Sequence, residues 1–132
     1  MSLPICAKLS LGLLTDTLSL WNGICLREGG GRINPRAFNR AENAVGVAQI
    51  RPVCVRDVNR IARAHFTLTD RWSPQRSFEM FLTYTTHYVG LWAPPEHKAR
   101  LWNGGPGWRR KQATVGYWLG VRKHMNAQSV RK

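Results

Sequence analysis

The chain has 132 residues, which suits one domain with a substantial core, and spans residues 1–132 with no linker long enough to divide it. Its formal charge is +13, from 20 Lys and Arg against seven acids, which implies attraction to a polyanion: nucleic acid, an anionic membrane or an anionic cell wall. Three cysteines, Cys6, Cys25 and Cys54, cannot all pair and form no CxxC, so a disulfide framework is not supported and buried free thiols are expected.

The N-terminal stretch MSLPICAKLSLGLLTDTLSLW is apolar but lacks a basic leader region, and Asp16 interrupts it. It makes a poor signal peptide and is too short to span a bilayer. Leu11, Leu14, Leu18, Trp21 and Cys25 recur at spacings of three and four, which predicts a helix over 9–27 with these residues on its buried stripe. Gly29, Gly30 and Gly31 stop it in the manner of a glycine C-cap.

Residues 29–44 read as a loop around Asn34-Pro35, and VGVAQI after it is apolar but ambiguous. Pro52 suits the first turn of a helix reaching Ala64. Ser73-Pro74 reads as an N-cap followed by proline at the first helical position. Phe78, Phe81, Leu82, Tyr84, Thr85 and Tyr88 carry the helix on to Val89. Pro94-Pro95 opens a short helix through Leu101, NGGPG is a loop, and a last helix covers 114–125. No run alternates with period two, so the fold class is mainly α.

The stretch CLREGGGRINPRAFN carries one carboxylate, Glu28, at the seam between helix and loop. Three residues beyond Cys25, Glu28 continues the buried stripe. Burial disfavours the charged carboxylate, and so does the negative end of the helix dipole. Both raise the pKa, as a general acid requires. The glycines leave the space before it free of side chains.

EGGGRINPRAFN, AVGVAQIRP, LWNGGPG and TVGYW, in that order over residues 28–117, resemble the motifs of the soluble lytic transglycosylase family, lysozyme-like enzymes that cleave bacterial peptidoglycan. The family shows Glu-Ser, Asn-Pro, a Gly-Leu-Met-Gln-like segment ending in proline, Ala-Tyr-Asn-Ala-Gly-Pro, and Glu-Thr with a tyrosine three residues on. The resemblance implies a goose-type, lysozyme-like helical domain with a substrate cleft. It implies that Glu28 is the acid/base. Asn39, Gly46, Gln49, Trp102, Asn103 and Tyr117 would approach or line the sugar cleft, with Tyr84 beside Phe81, where the family often has a cleft tyrosine. Thr114 matches the threonine of the last motif. Gly29 replaces the family's serine, Trp102 its tyrosine, and Ala113 its glutamate. Trp102 and Trp108 flank the glycine loop and are expected at the cleft.

The implied reaction cuts the β-1,4 bond between N-acetylmuramic acid and N-acetylglucosamine. Asp57 and Glu79 in helix interiors, and Asp70 in a loop, have no motif marking a second catalytic carboxylate, which favours the single-acid route to a 1,6-anhydro product over hydrolysis. No cofactor is expected, and no metal, because His65, His87, His97 and His124 are scattered and there is no HExxH. The expected partner is the peptidoglycan glycan strand, with anionic wall polymers on the basic surface, for a monomer outside the cytoplasm or carried by a phage. The rival readings are a lysozyme, and a non-catalytic domain binding glycan or nucleic acid; no RNP-like or finger motif supports specific nucleic-acid recognition.

Overall fold

A computed structural model of the chain describes residues 11–130, and the side chains of residues 11–127. Cys6, the first residues of the predicted opening helix, and Arg131 and Lys132 lie outside the described residues. Five helices and one small hairpin form a mainly α domain, as the absence of period-two patterning predicts. The helices are α1 (Leu11–Glu28), α2 (Pro52–Ala62), α3 (Pro74–Tyr88), α4 (Pro95–Gly104) and α5 (Ala113–Val130). Among the described residues, no helix is long and apolar enough to cross a membrane.

α1 packs chiefly on α5. The two helices meet closely at Gly23, where an added Cβ would lie 2.8 Å from Met125 Cγ and 3.1 Å from the Val121 carbonyl. The buried face of α1 is Thr17, Leu20, Trp21, Ile24 and Cys25, not the full predicted stripe. Leu11 and Leu18 are 82% and 41% exposed, and the buried face passes through Thr17 and Leu20 instead of Leu18. Trp21 packs on Phe81, with ring centroids 5.1 Å apart, at the centre of the core. The end of α1 is a Schellman cap: Gly31 N donates to Leu26 O at 2.8 Å, and Gly30, at φ +68°, takes the left-handed position.

The predicted loop 29–44 contains a hairpin that sequence patterning does not show. β1 (Phe38–Asn39) pairs antiparallel with β2 (Ala44–Val45), with Phe38 opposite Val45. Strands of two residues are too short to display a period. VGVAQI continues from β2 into a tight turn closed by Val45 and Ile50, each donating its N–H to the other's carbonyl at 3.1 and 3.0 Å. Buried Arg71 clamps this turn from a 3₁₀ segment, Leu68–Trp72. Its Nη1 donates to the carbonyls of Asn43 at 2.7 Å and Ile50 at 3.0 Å. Its Nε donates to Leu68 O at 2.9 Å.

The remaining helices begin much as their prolines predict. Ser73 caps α3 by accepting from Arg76 N at 3.1 Å. α2 stops two residues early, at Ala62, because Arg63 turns left-handed at φ 51°. α4 runs past Leu101 through Asn103 to Gly104, so part of the predicted NGGPG loop is helical. The chain then reverses at Gly105, whose N–H donates to Leu101 O at 2.7 Å.

Two glycines are held by sterics. A Cβ on Gly29 would sit 1.8 Å from the Arg32 carbonyl oxygen, and one on Gly46 would sit 2.0 Å from the Arg71 carbonyl oxygen. Gly46 also has φ +86°, where side chains are strained. Gly29→Ser and Gly46→Ala should each therefore destabilise the fold by more than about 1 kcal/mol and lower Tm by at least about 3 °C. Thermal unfolding by circular dichroism checks this, and an unchanged Tm for both variants would refute the steric account.

Candidate active site

Glu28 is the last residue of α1, and burial follows from the same face that sinks Trp21 and Cys25 into the core. It is half-buried, and the loss of water pushes its carboxyl up from 4.5 to about 7. The hydroxyl of Tyr117, from α5, donates to Glu28 Oε2 at 3.0 Å and opposes that shift by favouring the carboxylate. Arg27 and Arg51 oppose it as well, and the negative charge of Glu42 adds to it. With Oε2 accepting from Tyr117, Oε1 is left to carry the carboxyl proton. Tyr117 is itself buried, and its own pKa is pushed well up, so its hydroxyl stays a donor. Arg27 lies over its ring, 5.5 Å from the centroid, and over Gly120, where a side chain would strike the guanidinium.

Glu28 forms part of the wall of a cleft of about 660 Å³, within the range of sites that take small ligands. Gln49, Tyr84, Trp102 and Asn103 also line it, so four of the expected cleft residues converge on the acid. Gln49 has φ 54° and its Nε2 donates to Ala37 O at 3.1 Å and Gly46 O at 3.0 Å, which fixes the turn that forms one side. Trp102 is held edge-on to Phe81 and Tyr84, and its Nε1 donates to Ala48 O at 3.3 Å. Gly104, Gly105 and Pro106 form the floor beneath Asn103, and Lys111 Nζ caps Gly104 O at 2.7 Å.

Several expected site residues lie elsewhere. Asn39 is exposed on the hairpin, where its Oδ1 accepts from Glu42 N at 3.4 Å; it does not line the cleft, because β1 turns it to solvent. Gly46 is buried under Arg71 and does not line it either; its glycine identity answers the backbone. Tyr117 does not itself line the cleft; it reaches Glu28, which does. Trp108, expected at the cleft, is 4% exposed, packed between Arg100 and Arg109 at 4.8 and 4.4 Å and beside His97. Thr114 is buried and ties α4 to α5 by accepting from Arg100 Nε at 2.9 Å. Phe81 belongs wholly to the core.

The sequence reading missed two carboxylates. Glu42, in the hairpin turn, and Asp57, on α2, both line the cleft with Glu28. The sequence places Asp57 in a helix interior with no motif to mark it. Its helix face was the available signal: Val53, Arg56, Asp57 and Arg60 recur at i, i+3, i+4 and i+7, away from buried Val55 and Val58. Asp57 accepts from Tyr88 Oη and from Arg60 Nη2 at 2.6 Å. These bonds hold its carboxyl below the usual range despite the desolvation that acts against them.

Cys25 is buried and Cys54 half-buried in the cleft wall; both are free, and burial pushes each thiol up to about 12. Among the described residues, no three His, Cys, Asp or Glu side chains gather as metal ligands would. No protein-family model, curated protein or solved structure matches the chain.

The displaced pKa of Glu28 links stability to pH. Its folded value of about 7 lies above the unfolded one, so the folded chain binds its proton more tightly. The contribution to stability is full below about pH 4.5 and is lost as pH rises through about 7. Glu28→Gln keeps the acceptor for Tyr117 but removes the buried charge. At about pH 8 the variant should be more stable than the parent by roughly 1 to 3 kcal/mol, and the gap should close at about pH 4. Urea unfolding at both pH values measures it; a gap independent of pH would mean that Glu28 is not buried as described.

Proposed function

We propose that the chain is a peptidoglycan-cleaving lytic transglycosylase with a lysozyme-like fold, acting on the bond from N-acetylmuramic acid to N-acetylglucosamine. One observation carries the reading: a carboxyl poised near pH 7 at the wall of a cleft large enough for sugars. The ordered resemblance of residues 28–117 to the family motifs supplies the substrate class. An aromatic wall of Trp102 and Tyr84 suits the apolar faces of pyranose rings.

In the proposed reaction Glu28 gives the proton on Oε1 to the glycosidic oxygen as the bond from that oxygen to C1 breaks. The neighbouring N-acetyl carbonyl stabilises the cationic C1. Glu28, now a carboxylate held by Tyr117, takes the proton of the same sugar's 6-hydroxyl as O6 bonds to C1. The acid is regenerated and a 1,6-anhydro sugar leaves. No metal or cofactor enters. Such chemistry belongs where the cell wall is, outside the cytoplasm or at a phage particle meeting a host.

A hydrolytic second reading has its own support: Glu42 and Asp57 line the same cleft, and either carboxylate offers a base for water. Asp57 is engaged by Tyr88 and Arg60, which leaves Glu42 as the stronger candidate.

Glu28→Gln should abolish clearing of purified peptidoglycan, and unchanged clearing would end the assignment. With a single acid, the rate should fall as pH rises through about 7 and show no second ionisation on the acid side. Mass analysis of the products then separates the readings. Muropeptides one water lighter than hydrolytic products mark the anhydro route; reducing ends together with an added acid limb would mark a lysozyme using Glu42.

A further inference from the structure

We propose that the cleft is built to bind carboxylate groups carried on the glycan, through Arg51 and Arg56; this rests on the peptidoglycan reading above. The observation behind it is the charge inventory of the cleft. Four cations line it, Arg51, Arg56, Arg60 and Lys111, against the acids Glu28, Glu42 and Asp57. Arg60 is spent on Asp57, which it holds at 2.6 Å. Glu28 is partly neutral near pH 7 and so offsets only part of a charge, and Glu42 offsets one more, which still leaves the cleft positive. Lys111 rests on a backbone carbonyl, which leaves its charge uncompensated. Arg51 and Arg56 are exposed, and neither guanidinium has a hydrogen bond or an ion pair among the described residues.

The placement is not that of an ordinary solvated helix face. α2 buries Val55 and Val58 in the core. Its opposite stripe, with Arg56 and Arg60 one turn apart, is a wall of the same cleft that holds Glu28. Arg51, at the N-cap of α2, is close enough to Glu28 to lower its pKa. A strand drawn past the acid therefore passes these guanidinia. Guanidinium is the side-chain group best matched to a carboxylate, with two parallel N–H donors. A cleft with low-dielectric walls focuses such a field more than an open surface does. Cleft binding should thus discriminate between a charged strand and a neutral one of the same length and sugars.

The glycan offers that carboxylate from two sources: the acids of the stem peptide or, where the stem has been removed and its amide bond cut, the lactyl ether of muramic acid. The test uses soluble uncrosslinked strands whose stem amines are acetylated. A portion has its carboxyls converted to neutral amides, and another has its stems removed to leave only lactyl carboxylates. Binding to Glu28→Gln is measured by calorimetry at fixed salt, so no turnover is required.

Charged strands should bind about tenfold more tightly than amidated ones, and Arg51→Gln/Arg56→Gln in that background should erase the difference. Arg122→Gln/Lys123→Gln, with the same charge removed from exposed α5, should preserve it. Equal affinity for charged and amidated strands would overturn the proposal, as would an equal loss in the α5 control, which would mean bulk charge attraction. If stem-free strands bind like intact ones, a carboxylate from either source satisfies the site; if they bind like amidated ones, the stem acids are the ligand. A parent chain that leaves every strand uncut, while Glu28→Gln still discriminates, would remove the enzymatic reading and leave the binding site standing.

Discussion

The hydrogen bond from Tyr117 to Glu28 joins positions 89 residues apart, and the site is organised around it. α1 and α5 pack side by side, and at the end of α1 the packing leaves a carboxyl in a place where water is scarce. A carboxylate there with no donor would be costly. Tyr117 meets that need with one neutral donor, which keeps the group titratable near neutrality instead of locking it as an ion. A lysine or arginine in place of the tyrosine would drive the pKa down and remove the acid. The shift is therefore a balance between desolvation, which is larger, and a hydrogen bond, which is smaller.

The facing side of the cleft depends on backbone carbonyls. The turn from Asn43 to Ile50 has few side chains with which to hold itself, and Arg71 and Gln49 donate into it from outside and from within. Among the described residues Arg71 has no carboxylate partner. Its desolvation, which lowers its pKa, is met entirely by carbonyl dipoles. Gly46 lies so close to Arg71 that a methyl group does not fit. The same closeness accounts for Gly29, where a serine would strike the Arg32 carbonyl. A glycine that reads as a lost hydroxyl beside the acid is thus required by the loop that follows it.

The readable parts of the sequence were those governed by local rules. Proline at helix starts, serine at a cap and glycine after a helix act within a few residues, and α2, α3 and α4 begin within a residue of where these signals place them. Glu28 was legible because its burial follows from its spacing to Trp21 and Cys25. What was not legible depended on distant partners. The stripe through Leu11 and Leu18 has the right period, but nothing in the sequence says that packing buries the face through Thr17, Leu20 and Ile24 instead. Trp108 and Trp102 stand alike beside the glycine loop, yet one is enclosed by Arg100, Arg109 and His97 while the other borders the cleft. Two-residue strands carry no period at all.

Asp57 shows how a helix can serve two masters with one pattern. Val55 and Val58 give α2 its anchor, and that anchor alone would make any polar stripe on the other side look like plain solubilising surface. The stripe becomes a wall only because α4 and the Gly104–Pro106 turn pass nearby and enclose the space in front of it. Enclosure changes the meaning of each charge on it. A guanidinium in open water is screened within about 10 Å at moderate salt, whereas one at the edge of a cleft projects more of its field into the cleft. The extreme charge of the chain therefore has two components with different consequences. The part spread over the outer faces sits in open water, where salt screens it. The part borne by Arg51 and Arg56 lies on the wall of the same cleft that Glu28 lines.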